Sequence, residues 1–302
     1  MWPRMSTDLG RSLAVSAAAA ILIASVTHIG WADERNTSQA GAEQASPKSV
    51  VSMNLCTDQL AMLVAEPEQI ISLGRFARDP QSSAMVKQAQ YWPVNHGEAE
   101  EIFLLQPDLV LAGTFSSRQT IALLRQLDIP VIEFEPAETF DDIRKRLRQM
   151  GEVLGQEIRA EAIISEFDAG LAAVRVRSAE RPRAAFYDLN SYTAGSGTLM
   201  NSIMEAAGVI NIAVELGIEG LGRISLEQLV MTAPELLVTG RSFESPARAE
   251  EVLTHPALRA VLGNAGTVPI PERYHICGTP FVIEAIRRLA AARDNILGER
   301  DH

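Results

Sequence analysis

The sequence lacks the patterns that mark most catalytic and metal centres. Its 302 residues include two cysteines and five histidines, and no two histidines share the spacing of metal ligands. G-x-S-x-G, H-E-x-x-H, P-loop and C-x-x-C patterns are all absent. We therefore expect no catalytic residues, no bound metal ion and no cofactor.

Basic side chains are also few. Lys and Arg number 27 against 38 Asp and Glu, which gives a formal net charge of −11 at pH 7 and a pI near 5.0. Nucleic acids and anionic membrane surfaces attract positively charged proteins, so this composition argues against both as partners. With 47% hydrophobic and 22% charged residues, the chain otherwise has an ordinary globular composition.

The apolar run near the N-terminus, residues 13–26, is short for a membrane-spanning helix. Arg4 and Arg11 precede it, and small residues ending in Gly-Trp-Ala follow it. A basic start, a short apolar segment and a small-x-Ala site predict a cleavable signal peptide over residues 1–32, hence export. The polar residues 33–47 are then expected to form a disordered linker.

Beyond the linker, residues 48–154 and 181–302 each alternate short apolar strands with helices. The segment DLVLA at 108–112 is a continuous apolar run, typical of a buried parallel strand. Such alternation predicts an α/β fold in which parallel sheets carry helices on both faces. Within it, residues 79–88 are expected to form a helix that Pro80 opens.

The stretch Thr139–Ser178 lacks proline and is rich in strong helix formers. Glycines interrupt it, so we predict two helices, about 139–154 and 156–178. The second would be about 35 Å long at 1.5 Å per residue, about the width of a small domain. We therefore predict two α/β lobes joined by a long helix over residues 155–180. The alternative is an ordinary surface helix within a single domain.

A weak internal repeat supports the two lobes. Residues 100–111 (EEIFLLQPDLVL) and 227–238 (EQLVMTAPELLV) each combine a glutamate, a short apolar helix, a proline before an acidic residue, and an apolar strand. The same supersecondary unit is thus predicted once in each lobe.

Aromatic and polar residues occupy the loops that follow the predicted strands. Ligands of open α/β sheets bind outside the carboxyl ends of the strands, so facing lobes would place these loops around one cleft. An aromatic-lined cleft with polar groups suits a bulky, partly apolar ligand. The candidate ligand-binding residues are Cys56, Trp92, His96, Phe115, Tyr192, Arg241, Arg273, Tyr274 and His275.

In this order and spacing the segments VVSMNLCTDQL, AEEIFLLQPDLVLAG, GSGTLMNSIMEAAGVINIA and ISLEQLVMTAPELLVTG resemble a known family. It comprises the periplasmic substrate-binding proteins of ABC importers for cobalamin, ferric siderophores and haem. The resemblance covers about residues 48–298. It implies two Rossmann-like lobes joined by one rigid α-helix, a ligand cleft between the lobes, a periplasmic location and an ABC importer permease as partner. We expect a monomer.

The resemblance also implies one surface glutamate per lobe that docks onto the permease. These glutamates fall on Glu100, with Glu101 as a neighbouring possibility, and on Glu227. Each lies in the first turn of a short predicted helix, where the helix dipole favours a carboxylate. The same placement is also ordinary for an acidic residue without a partner.

The two cysteines, Cys56 and Cys277, follow the first strand of one lobe and the last strand of the other. An exported protein meets an oxidising compartment, so a disulfide tying the lobes is one hypothesis. Free thiols near the ligand, in contact with a metal centre, are a second. Two unrelated buried cysteines are a third.

Within the family, a ferric siderophore or a cobalamin-type ligand is favoured over haem. A haem-binding protein of the same fold would need an axial Tyr or His on a strand-end loop. Five residues leave that alternative open: Tyr91, Tyr187, Tyr192, Tyr274 and His275.

An exported α/β enzyme is the alternative from another class. Ser196 with His275 is the one nucleophile–base pair that can be drawn for it. The loop Gly195–Gly197 opens a predicted helix and is either an anion site or a tight turn.

Overall fold

The computed structural model describes residues 46–176, 179–240, 256 and 266–300. The predicted signal peptide and nearly all of the predicted linker lie outside them. The strands are β1 Val50–Ser52, β2 Ile70–Gly74, β3 Val94–Asn95, β4 Leu109–Gly113, β5 Val131–Phe134, β6 Arg183–Phe186, β7 Tyr192–Ala194, β8 Ile210–Asn211, β9 Leu221–Arg223, β10 Leu236–Thr239 and β11 Gly266–Pro269. The helices are α1 Leu55–Val64, α2 Ala99–Leu104, α3 Arg118–Gln126, α4 Phe140–Leu154, α5 Glu157–Val174, α6 Leu199–Ala206, α7 Ile212–Glu215, α8 Leu226–Thr232 and α9 Val282–Arg300. Within these described ranges, every helix is too short or too polar to cross a bilayer.

The N-terminal lobe is built on a five-stranded parallel sheet with the order β3-β2-β1-β4-β5. All five residues of β4 are buried, as expected for a strand covered on both faces. The chain leaves β1 towards β2 on one side, whereas it leaves β4 towards β5 on the other side. Because these two connections lead in opposite directions, they leave a crevice at the carboxyl ends of β1 and β4.

The C-terminal lobe is built on a four-stranded parallel sheet with the order β11-β10-β6-β8. Its central strand β10 is buried along its whole length. An antiparallel pair, β7 and β9, lies beside this sheet and was not predicted from the sequence. The predicted fold class, α/β with two lobes of parallel sheet, is confirmed.

In each lobe, an acidic side chain just before one central strand bonds to the backbone at the start of the other. Asp108 precedes β4, and its Oδ2 accepts the backbone N–H groups of Lys48 and Ser49 at 2.9 and 3.0 Å, at the start of β1. Glu235 precedes β10, and its Oε2 accepts the N–H of Arg183 at 2.8 Å, at the start of β6. The repeated unit is therefore duplicated in its side-chain contacts as well as in its sequence.

Helix α4 begins and ends as the sequence pattern indicates. Thr139 Oγ1 accepts the N–H of Asp142 at 3.1 Å, and Asp142 Oδ2 accepts the N–H of Thr139 at 3.0 Å, which is a capping box. The helix stops at Gly155, whose φ of +68° suits glycine. Because a Cβ on Gly151 would lie 2.7 Å from Ala160 Cβ, α4 and α5 approach closely at that point.

Helix α5 leads from one lobe to the other and ends at Val174, four residues before the end predicted for the helix at residue 178. It packs against α1, α4 and α9. Its residues Ile164, Phe167 and Leu171 are buried in an apolar core that also includes strand residues of both sheets. The boundaries 48–154, 155–180 and 181–302 remain a prediction, since this core runs through all three segments.

The helix predicted over residues 79–88 is wrong, because these residues form turns between two short 3₁₀ segments. Asp79 accepts hydrogen bonds from Gln81 N–H at 3.0 Å and Ser82 Oγ at 2.7 Å. Ser83 Oγ accepts the N–H of Met85 at 3.1 Å. These local side-chain bonds compete with the hydrogen bonds of a helix.

A disulfide between Cys56 and Cys277 joins the two lobes. The S–S distance is 2.06 Å, and the bridge closes a sequence separation of 221 residues. Cys56 lies in the first turn of α1 and Cys277 follows β11. The carboxyl ends of β1 and β11 therefore face each other across the bridge.

The Cys56→Ser/Cys277→Ser double variant is expected to lose about 2–5 kcal/mol of unfolding free energy, because the bridge restricts a long loop in the unfolded chain. Urea denaturation followed by circular dichroism measures the loss. Wild-type protein treated with reductant is the control and should match the variant. Two free thiols in untreated protein, seen by mass spectrometry without reduction, would contradict the assignment.

Candidate functional site

A cavity of about 660 Å³, a volume that includes open solvent, lies at the carboxyl ends of the N-terminal sheet. Its lining comes from the carboxyl ends of four strands and the residues that follow them, and from α4. These residues are Asn54, Cys56, Thr57 and Leu60 after β1, Gly113, Thr114 and Phe115 at and after the end of β4, Phe134, Glu135, Pro136 and Ala137 at and after the end of β5, Arg146 of α4, and Ile276 and Gly278 after β11. The cavity occupies the point where the strand order reverses, the position at which open α/β sheets bind ligands. Since Ile276 and Gly278 follow a strand of the second sheet, both lobes contribute to it.

The two lobes are in close contact at the edge of the cavity. A Cβ on Gly278 would lie 2.1 Å from Ala137 Cβ, so a side chain at position 278 is excluded unless the backbone moves. Gly113 allows a similar approach, because a Cβ there would lie 2.9 Å from Asn54 Nδ2. Asn54 in turn caps α1, since its Oδ1 accepts the N–H of Cys56 at 3.0 Å.

Phe115 is the most exposed aromatic side chain of the cavity lining. It follows β4, and 88% of its surface is accessible. An exposed phenylalanine in the cavity lining offers a flat apolar surface to a ligand. Of the candidate residues predicted from the sequence, Phe115 and Cys56 line the cavity.

Arg146 and Glu135 supply the charge of the cavity and were missed by sequence reasoning. Arg146 Nη2 donates to Glu135 Oε2 at 3.1 Å and its Nη1 donates to Gln149 Oε1 at 2.6 Å. The arginine side chain is only 15% exposed, and its Nε has no hydrogen-bond partner among the described residues. The available signal was its position on α4, between the buried residues Ile143 and Met150.

Three predicted site residues follow β11 and lie at the contact between the lobes. Arg273 donates to Pro80 O through Nη1 and to Gln81 O through its backbone N–H, both at 3.1 Å. Tyr274 lies between the guanidinium groups of Arg273 and Arg288, 4.8 and 5.2 Å from its ring centroid. Neither residue lines the cavity.

His275 also lies at this contact, edge-on to Phe186 with ring centroids 5.8 Å apart. Burial lowers the pKa of its imidazole, against the weaker opposing effects of Glu272 and Asp188. Its Nε2 is buried and has no hydrogen-bond partner among the described residues. His275 is therefore a neutral packing residue in this structure.

Two more candidates, one directly after β3 and one at the start of β7, lie outside the cavity lining. His96 follows β3; its backbone N–H donates to Glu101 Oε2 at 2.8 Å, and its Nδ1 lies 3.4 Å from Glu101 Oε1. Tyr192 of β7 stacks under Arg223 at 4.7 Å and accepts a hydrogen bond from it at 3.3 Å. Arg241 lies outside the described residues.

The expectation that Trp92 lines the cleft is wrong. Trp92 precedes β3, so it lies at the amino ends of the parallel strands, the edge opposite the cavity. Its Nε1 donates to the carbonyl of Pro67, which precedes β2, at 3.0 Å. Tyr91 contacts Trp92 at the same edge.

Two alternatives concern the C-terminal lobe: Tyr187 as an axial ligand of haem and the Gly195–Gly197 loop as an anion site. Tyr187 is buried, and its hydroxyl bonds to Ser191 Oγ at 2.9 Å. In the Gly195–Gly197 loop, the N–H groups of Gly195 and Ser196 donate to the carbonyls of Gly220 and Ile218. Those two donors are unavailable to an anion, and the choice between an anion site and a tight turn stays a prediction. Within the described ranges, no three His, Cys, Asp or Glu side chains cluster as metal ligands would.

Asp58 is a buried carboxyl on α1, next in sequence to the lining residue Thr57. Its Oδ1 accepts the N–H of Gly74 at 3.0 Å, and its Oδ2 has no partner among the described residues. Burial raises the pKa of Asp58 from 3.8 to about 8, although hydrogen bonds from Ser52 and Gly74 oppose the shift. Asp58 is therefore predominantly protonated at neutral pH.

The comparison with protein families agrees with this geometry. The family model described as "Periplasmic binding protein" matches residues 50–264, and the chain belongs to that family. Members of such a family work outside the cytoplasm.

The individual relatives share about a quarter or less of their residues with this chain. The chain is 25% identical over 262 residues to the "Cobalamin-binding protein" of Halobacterium salinarum, covering 83% of this chain and 70% of that one. It is 26% identical over 210 residues to the "Vitamin B12-binding protein" of Pectobacterium carotovorum, covering 67% and 74%. Among solved structures, the apo form of the periplasmic heme-binding protein RhuT from Roseiflexus sp. RS-1 has a TM-score of 0.68 at 21% identity, covering 82% and 98%. That last likeness shows the shared fold.

The pH dependence of stability tests the state of Asp58. Between pH 3.8 and about 8 the folded protein holds a proton that the unfolded chain has released. Raising the pH through this range should therefore lower the unfolding free energy, by at most about 1.4 kcal/mol per pH unit. The Asp58→Asn variant should lack this loss and be more stable than wild type near the upper end of the range.

Urea denaturation at a series of pH values measures the difference between variant and wild type. Asp128→Asn is the matched control, because Asp128 is exposed and its φ of +58° suits asparagine equally well. If the unfolding free energies of Asp58→Asn and wild type change with pH in parallel, Asp58 is ionised in the folded protein.

Proposed function

We propose that the protein captures a cobalamin-type corrinoid or a ferric siderophore and delivers it to the permease of an ABC importer. The observation that carries this proposal is the cavity at the carboxyl ends of the N-terminal sheet, closed on one side by the C-terminal lobe. Family membership and the names of the two sequence relatives support a corrinoid as the first candidate.

The charge of the cavity favours a neutral, amide-rich ligand. The described lining residues carry one cation, Arg146, and one carboxylate, Glu135, and the two are paired at 3.1 Å. A corrinoid presents apolar ring faces and a periphery of carboxamides, which match Phe115 and the side chain of Asn54. Haem presents two anionic propionates, which would need a cation that is not already paired.

The same lining explains how a metal centre would be held. Among the described lining residues there is no histidine or tyrosine. The metal ion would therefore remain in its chelate, and the protein would bind the organic part of the ligand. The disulfide and the close Gly278–Ala137 contact at the cavity edge limit the movement of the lobes, so binding requires little closure.

Phe115→Ala is expected to weaken ligand binding about tenfold or more, because an exposed aromatic side chain is the main apolar contact in the cavity. Isothermal calorimetry with cyanocobalamin, ferrichrome and haemin measures it. Tyr91→Ala is the matched control, since Tyr91 is 83% exposed but lies at the opposite edge of the sheet. If Phe115→Ala and Tyr91→Ala bind the ligand with equal affinity, the cavity is not the binding site.

For delivery, Glu100 and Glu227 are the docking residues that the structure supports best. Glu101 is held by His96, whereas Glu100 is exposed and has no hydrogen-bond or ion-pair partner among the described residues. Glu227 is exposed in the first turn of α8. Hydrogen bonds from its own N–H and from Ser225 lower the pKa of Glu227, so it is ionised at neutral pH.

The Glu100→Gln/Glu227→Gln variant is expected to lose most ligand uptake in cells, while its dissociation constant for the ligand stays unchanged. The reason is that both carboxylates lie outside the cavity and act on the partner. Glu152→Gln/Glu166→Gln is the control, because these glutamates are exposed on α4 and α5. Normal uptake by the first variant would eliminate the docking roles.

A further inference from the structure

We propose that Leu104 and Met231 complete the docking surface, so that each lobe presents one carboxylate and one apolar side chain to the permease. The contact pairs are Glu100 with Leu104 on α2 and Glu227 with Met231 on α8. This inference rests on the proposed function and names the chemistry of its partner. That partner is a membrane protein with two equivalent sites, each combining a basic group with an apolar pocket.

The two pairs occupy equivalent positions of the duplicated unit. Glutamate and apolar residue are four residues apart in each helix, so both side chains lie on one face. Between them, Ile102 and Leu229 are fully buried and fix which face points outward. Leu104 is 78% exposed and Met231 is 84% exposed.

The ends of the two helices are also alike, which gives the pairs the same orientation on their sheets. Gln106 and Ala233 both adopt the left-handed conformation, with φ of 49° and 46°, although neither is glycine. A buried proline follows each of them. The acidic residue that comes next binds the start of the neighbouring strand in both lobes, as described for Asp108 and Glu235.

The duplicated exposure of large apolar side chains points to a partner. A single exposed leucine or methionine is ordinary on a protein surface. Here the exposure recurs at the same position of a repeated unit, beside a carboxylate each time. In the N-terminal lobe Phe103 and Leu105 enlarge the apolar surface, with 46% and 38% of their area accessible. Apolar contact next to an ionised carboxylate is complementary to a pocket with a basic residue at its edge.

The placement of the pairs relative to the cavity is consistent with this partner. Helix α2 follows β3 through residues 96–98, so it begins at the carboxyl-end edge of the N-terminal sheet. Helix α8 follows β9, whose last residue Arg223 pairs with Tyr192 just beyond the carboxyl end of β6. The cavity lies between these edges, so a permease that contacts Glu100 and Glu227, in the first turns of these helices, would cover the ligand. Leu104 and Met231 lie one helical turn further from the cavity.

Binding to proteoliposomes that contain the ABC permease of the same cell tests the inference. The protein is first loaded with whichever of cyanocobalamin, ferrichrome and haemin it binds in calorimetry. Leu104→Gln and Met231→Gln should each weaken permease binding about tenfold, because burial of each side chain is lost. Ligand affinity should not change. Ile158→Gln is the matched control, since Ile158 is 91% exposed on α5.

Salt separates the apolar contacts from the carboxylates. Between about 50 and about 500 mM NaCl, the loss caused by Glu100→Gln/Glu227→Gln should shrink, because screening already weakens the charged contact. The loss caused by Leu104→Gln/Met231→Gln should persist. If the wild-type protein binds the permease and neither apolar variant, or only one of them, binds more weakly, this inference is overturned and the proposed function stands. Failure of loaded wild-type protein to bind the permease would overturn the proposed function as well.

Discussion

Burial of helix α5 between the two lobes is the constraint on which the other features depend. Phe167 of this helix is almost completely buried, in a core shared by residues of both sheets. Burying one such side chain contributes about 1.5–3 kcal/mol, and α5 contributes several of them. Because one core supports both sheets, their carboxyl-end edges are held opposite each other, and the space between those edges becomes the cavity.

This arrangement suits a protein that binds a preformed chelate. The disulfide at Cys56 adds a covalent tie at the cavity, where the apolar core ends. The paired charges of Arg146 and Glu135 leave the lining close to neutral, and Phe115 supplies an apolar surface. Specificity would then depend on the shape and hydrogen bonds of the ligand periphery, since histidine and tyrosine are absent among the described lining residues.

In the proposed function, the duplication of one supersecondary unit connects the fold to the permease. Buried Ile102 and Leu229 serve the fold, whereas the carboxylates of Glu100 and Glu227 face solvent. A rigid protein with two similar surfaces can contact a partner with two similar sites at once, and each contact then raises the effective concentration of the other. Rigidity of the shared core would therefore benefit delivery as well as capture.

The sequence by itself determined the features that depend on neighbours along the chain. Periodicity and composition predicted the α/β fold, the helix that begins near Thr139, the break at Gly155 and the repeated unit around Glu100 and Glu227. Phe115, which lines the cavity, was predicted because ligands of α/β sheets bind at strand-end loops. These signals are local, so a single sequence contains them.

Only the tertiary structure decided which distant segments meet. Arg146 was missed because its helix follows β5, yet its side chain reaches a cavity formed by three other strand ends. Trp92 was misplaced because a residue before a strand lies at the edge opposite a residue after it, and the loop pattern alone does not separate the two. His275 has suitable chemistry, but packing against Phe186 keeps it out of the cavity lining. Contact across the sheet depends on strand direction and order, which hydrophobic periodicity does not encode.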